Sequence, residues 1–247
     1  MIEPVIPAGR TIPAVFRYGA FYDLLADAVF QHVRAAEATA PYVTSRFARA
    51  SVLASALSVE CVANSFLAAQ NLPKALGEEI DRLSPLGKID LCLRLRGCAS
   101  IERGNKEAQA IAELIKARND YVHPKSIPIR TEIRGVEDGG ADWLLPLSLE
   151  GENWPQLGIP KRAMFWTSDS SLAALGAVAG FYRHLFQVLL AGEGQDIHMF
   201  LGSRLEVGEA RVMAVSDEIR LELKNALGFG VDFGFLGLFA SGSSANQ

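Results

Sequence analysis

Arg118, Asn119 and His123 are the residues of this chain whose types and spacing best suit chemistry, and all lie in KEAQAIAELIKARNDYVHP, Lys106 to Pro124. Histidine, with an unperturbed pKa near 6.5, accepts or delivers a proton close to neutral pH. Arginine presents planar donors that hold two phosphate oxygens at once. Asn119 stands four positions before His123, on the same helix face, and can orient it. Lys116 and Lys125 flank the group with positive charge suited to a substrate phosphate.

The element that must position these residues is a helix. Good helix formers fill the stretch, and Ala108, Ile111, Ala112, Ile115 and Val122 recur at helical intervals, which predicts one apolar face. Pro124 lacks an N–H and disfavours the α region for its predecessor, so His123 is expected where the helix ends, free to turn from its axis. Five positions put Arg118 and His123 roughly 140° apart around an ideal axis and about 7.5 Å along it. Convergence then requires the last turn to open, or a second molecule to bring its own copy. A plainer reading stands beside this one: Arg and His near a helix C-terminus complement the dipole, and a proline after it is an ordinary stop.

Arg118, the polar Asn119 and His123 at the end of a late core helix resemble the motif of the HEPN superfamily. The resemblance extends more loosely to ASVLASALSVECVANSFLAAQ and to a helix near residues 170–190. It implies a helical bundle acting as a homodimer on RNA, a metal-independent endoribonuclease without cofactor, in defence or toxin-antitoxin biology with an antitoxin or other protein partner. HEPN toxins paired with nucleotidyltransferase antitoxins carry a tyrosine two residues past the histidine; this chain has Lys125, so the resemblance does not reach that pairing. Two other readings stay open. One is a HEPN-like RNA-binding or assembly module without catalysis, the other an unrelated helical interaction domain.

With 247 residues, about half of them apolar, the chain can bury a sizeable core and reads as a single domain over 1–247. A net charge of −4 argues against coating nucleic acid by bulk charge. Distribution matters more. Ser84 to Arg134 holds ten Lys or Arg against six Asp or Glu, a balance of +4, which leaves fourteen against twenty-two elsewhere. Cys61, Cys92 and Cys98 are odd in number without a CxxC pair, so neither a disulfide framework nor a zinc site is expected, and a reducing cytoplasm fits. The first residues show no basic region followed by an apolar one, so no secretory signal is expected. No apolar run reaches the roughly 20 residues of a membrane span, so no membrane partner is expected either.

Along the chain, residues 1–17 read as an irregular arm, followed by a helix over about 20–38 in which a lone His32 is structural or solvent-facing, not a ligand. Pro41 to about Gln70 is the longest helical candidate, with Pro in its first turn. Ser51, Ser55, Ser58 and Ser65 form a small-residue face, and Val52, Val59, Ala63 and Phe66 cover another side, as in a central bundle helix. Arg46, Arg49, Glu60 and Asn64 share its polar sector. That sector either faces solvent or faces the motif helix, in which case Glu60 or Asn64 orients Arg118 or His123 and helps bind substrate.

Shorter helices are expected over 74–83 and from Pro85 to Gly97. After Pro124 the alternation of Ile127, Ile129, Thr131 and Ile133, then of Trp143, Leu145, Leu147 and Leu149, with a third candidate near Ala163–Trp166, predicts strands. Residues 126–166 thus read as a small inserted antiparallel sheet, whose Trp143, Trp154 and Trp166 either stack bases or cover their own core. Thr167 caps a helix to Leu190, Asp217–Ala226 is helical, and residues 241–247 read as a disordered tail. The fold class expected is mainly α, a HEPN-like antiparallel helical bundle with a small inserted antiparallel β-sheet.

Overall fold

The computed structural model describes residues 9, 11–125, 151–192, 194–208 and 210–238. In chain order these form β1 (Val15–Ala20), α1 (Phe21–Glu37), α2 (Pro41–Ala68), α3 (Lys74–Ile80), α4 (Pro85–Leu95), α5 (Lys106–Val122), α6 (Ser168–Arg183), α7 (Gly194–Leu201), β2 (Gly202–Val207), β3 (Ala210–Met213) and α8 (Asp217–Asn225). The chain is mainly helical.

The long apolar helix α2 is the centre, packed on α1, α4, α5 and α6. Val52, Val59, Ala63 and Phe66 are fully buried, and the small serine face lets the neighbours approach; the hydroxyls of Ser51, Ser58 and Ser65 find partners, while that of Ser55 is buried without one among the described residues. Ser51 Oγ donates to the Ala28 carbonyl of α1 at 2.7 Å, and Ser58 Oγ lies 2.6 Å from the Tyr182 hydroxyl of α6. Such cross-helix bonds matter because an unpaired buried hydroxyl costs about 1–3 kcal/mol. His32 is buried too, its Nδ1 2.8 Å from Ser171 Oγ and its pKa lowered chiefly by burial, so its role is structural.

Local signals account for the ends. Ser84 and Asn105 cap α4 and α5 by accepting from the N–H groups of Gly87 and Ala108, and Gly97 takes φ +70° just after α4, a left-handed conformation glycine adopts without Cβ strain. Thr167 and Ser170 form a reciprocal capping box at α6. Beyond Arg183 the helix widens to a π turn over His184–Leu189.

The sheet differs from expectation. It has the order β1-β2-β3, all antiparallel, with Phe16 opposite Leu205 and Leu205 opposite Val212. Val15–Ala20 forms its edge, taking in the last residues of the arm expected over 1–17 and the first of the helix expected from about 20. The strand expected near Ala163–Trp166 is a 3₁₀ turn over Ala163–Phe165, because the indole of Trp166 turns inward and donates to the Pro160 carbonyl at 2.7 Å. Within 151–166 the only strand-like feature is the bridge Asn153–Pro160. The strands expected over 126–150 and the tail over 241–247 lie outside the described residues.

Two helices, Pro41–Ala68 and the continuous Ser168–Leu189, are long and apolar enough to cross a membrane by length and composition, which corrects the expectation that no run suffices. Here they pack against each other in the core, a setting in which core helices commonly meet the same criteria.

His198 of α7 is buried beside Tyr22, ring centroids 5.3 Å apart. Burial, then the nearby Arg220 charge, lowers its pKa from 6.5 to about 4. The folded state therefore holds the neutral ring while the unfolded chain protonates first, so this contribution to stability is whole above pH 6.5 and is lost as pH falls toward 4. Urea unfolding across that window should show a shallower pH dependence for His198→Phe than for wild type; equal dependence would contradict the assignment.

Candidate functional site

The motif lies on a helix, as expected, and α5 ends at its histidine. His123 leaves helical geometry at φ −125°, ψ 59°, while its N–H still donates to the Asn119 carbonyl at 2.9 Å. The face that α5 buries is Ala108, Ala110, Ile111, Leu114 and Ala117. Ala112 and Val122, expected on that face, are exposed instead. This rotation turns Asn119, Tyr121 and His123 outward and Arg118 toward α2.

Arg118 meets Glu60. Its Nη2 forms an ion pair and hydrogen bond with Glu60 Oε2 across the α2–α5 contact, and its Nε is buried without a partner among the described residues. Of the two α2 candidates, then, Glu60 orients the arginine. Asn64 does not reach the motif: its Oδ1 accepts from Lys88 Nζ at 2.9 Å, and that buried ammonium also pairs with Asp81.

Residues 151–166 form the facing wall. Glu113 of α5 anchors them, its Oε2 accepting from the backbone N–H groups of Gln156 and Leu157 at 2.8 Å each. Trp154 and Trp166 are buried and belong to the common hydrophobic core, not to a separate small one; Trp143 lies outside the described residues. The Lys116 and Lys161 ammonium groups lie 5.1 and 5.7 Å from the Trp154 ring, within cation–π range. Lys116 is thereby held on Trp154 and not beside His123.

Between this wall, the end of α5 and the start of α2 lies a cavity of about 750 Å³, lined by Arg49, Asp120, Tyr121, His123, Pro124, Lys125, Lys161, Arg162, Ala163 and Met164. Among the described lining residues, four cations stand against one carboxylate, a positive balance, with Lys161 also paired to Glu152. That bond, then the lysine's charge, holds the Glu152 carboxyl below its ordinary range. His123 and Lys125 line the cavity; Arg118 is not among its lining residues. Sequence reasoning missed Lys161 and Arg162, though a basic pair directly after Pro160 was visible. It had Arg49 on the polar sector of α2 without a place for it. Local patterns cannot bring three separate segments to one cavity.

Comparison of the chain with protein-family models, curated proteins and solved structures finds no match. A reading of function rests on the site's own chemistry.

Proposed function

We propose that this chain is a metal-independent endoribonuclease of HEPN type. The observation that carries the reading is His123 opening onto a basic cavity, a proton-transfer group placed where a phosphodiester is electrostatically favoured. In RNA the neighbouring 2′-hydroxyl is the nucleophile, so orientation supplies much of the rate. Its oxygen bonds to phosphorus, the bond from phosphorus to the 5′-oxygen breaks, one proton leaves the 2′-hydroxyl and one reaches the 5′-oxygen. The products carry 2′,3′-cyclic phosphate and 5′-hydroxyl ends. Neutral His123 accepts the first proton or its imidazolium supplies the second. Asn119 orients the end of the helix through its backbone bond to His123, and Arg118 either meets the phosphate or holds α5 on α2.

A homodimer belongs to this reading, because one chain offers one histidine for two proton transfers. The exposed end of α5, with Tyr121 and Val122, suits a contact that sets two His123 side chains across one groove. Sedimentation at micromolar concentration should give twice the chain mass; a strict monomer that cleaves RNA would contradict this part. Cys61, Cys92 and Cys98 are free thiols, which suits a reducing cytoplasm. A protein partner such as an antitoxin would act by covering the cavity.

The Glu60–Arg118 pair favours a second reading, a HEPN-like RNA-binding module without catalysis, since it gives the motif arginine a purely structural task. Incubation with mixed RNA in EDTA separates the two. Cleavage supports the enzyme, and binding without cleavage supports the module.

A further inference from the structure

We infer that Arg49, not Arg118, is the guanidinium that meets the RNA phosphate beside His123. This rests on the ribonuclease reading and names a phosphate-binding residue outside the Arg118–His123 motif. Arg49 and His123 line the same cavity, while Arg118 is committed to Glu60.

Arg49 is also held in place. Its Nη1 donates to Ser45 Oγ at 2.7 Å, and Ser45 in turn donates to the Met164 carbonyl of the facing wall at 3.2 Å. Ser45 is itself buried. The spacing from Ser45 to Arg49 is one helical turn, which puts both on one face of α2. The Tyr42 ring supports the guanidinium at 6.0 Å from its centroid. Ser45 uses one of five donors, so the planar fork retains donors that match two phosphate oxygens. Lys125 and Lys161 add point charge to the same cavity, and Asp120 opposes them. A phosphodiester seated there would lie between a prepositioned guanidinium and a histidine.

The test uses the full chain, with a mixed-sequence RNA in EDTA for cleavage and a 2′-O-methyl RNA oligonucleotide, which cannot react, for binding across a salt series. Arg49→Gln should slow cleavage by about 10²–10³-fold, the usual effect of losing one donor to developing charge. It should also reduce the slope of log affinity against log salt by about 0.7, the share of one single-strand phosphate contact. A merely structural arginine would not move that slope. Arg49→Lys should restore the slope and only part of the rate, since it keeps the charge and loses the fork. It also keeps the experiment readable if the glutamine variant misfolds. Arg118→Gln should leave the slope unchanged. Wild-type rate and slope in Arg49→Gln, with the slope lost in Arg118→Gln, would overturn the assignment of Arg49 and leave the ribonuclease reading standing. A wild type that neither binds nor cleaves RNA would overturn both.

Discussion

Replacing His123 with alanine is expected to lower RNA cleavage by about 10²–10⁴-fold, the range over which one positioned acid or base contributes, while helix content and unfolding midpoint stay as in wild type. The fold should tolerate the change because the side chain is exposed at the end of α5, and surface substitutions of this kind usually shift stability by less than about 0.5 kcal/mol. RNA affinity should survive as well, since the cavity keeps Arg49, Lys125, Lys161 and Arg162. Cleavage assays on folded protein, beside circular dichroism, check both halves. Full activity in His123→Ala would remove the histidine from the mechanism.

The largest loss of stability is expected from Trp166→Ala. Trp166 is fully buried, its Nε1 donates to the Pro160 carbonyl at 2.7 Å, and Tyr121 of α5 packs on it at a centroid distance of 5.9 Å. Truncating a buried aromatic of this size costs about 3–5 kcal/mol, or roughly 6–20 °C in unfolding midpoint for a chain of this length. Function should fall with it, because the same segment carries Lys161, Arg162 and Met164 into the cavity. Trp166→Phe separates packing from the hydrogen bond: the ring remains, the Pro160 carbonyl loses its donor, and a cost of about 1–3 kcal/mol is expected. Urea unfolding measures both. A cost below 1 kcal/mol for the alanine variant would contradict the packing described.

Most of the helices were legible because their signals are local; the short α7 (Gly194–Leu201) was not read from the sequence. Pro41 opens α2, Pro124 ends the motif, and the periodicity of α1, α4 and α6 lies within each stretch. The wheel of α2 put Glu60 where a neighbouring helix could meet it, and Arg118 does. The sheet was not legible, for two physical reasons. Its strands pair across nearly the whole chain, Phe16 with Leu205, and no window along the sequence contains both. β1 also leaves Val15, Phe16 and Tyr18 exposed at 54%, 58% and 68%, on both faces, so it lacks the alternation that marks a half-buried strand. The apolar run at Ala163–Trp166 misled in the other direction, because a short apolar run does not reveal that one indole will turn back to a proline carbonyl. The cavity escaped for the same reason as the sheet: Arg49, His123 and Lys161 come from α2, α5 and a loop.

Cutting of RNA at the His123 cavity by its own 2′-hydroxyl without metal is the proposal on which these expectations rest. Its most direct test is to incubate wild-type protein in EDTA with an RNA and with DNA of matching sequence, then identify the product ends. RNA fragments ending in 2′,3′-cyclic phosphate are expected, with intact DNA, which lacks the nucleophile. Cleavage of the DNA, RNA products with other ends, or an RNA left whole until a divalent metal is restored would contradict it.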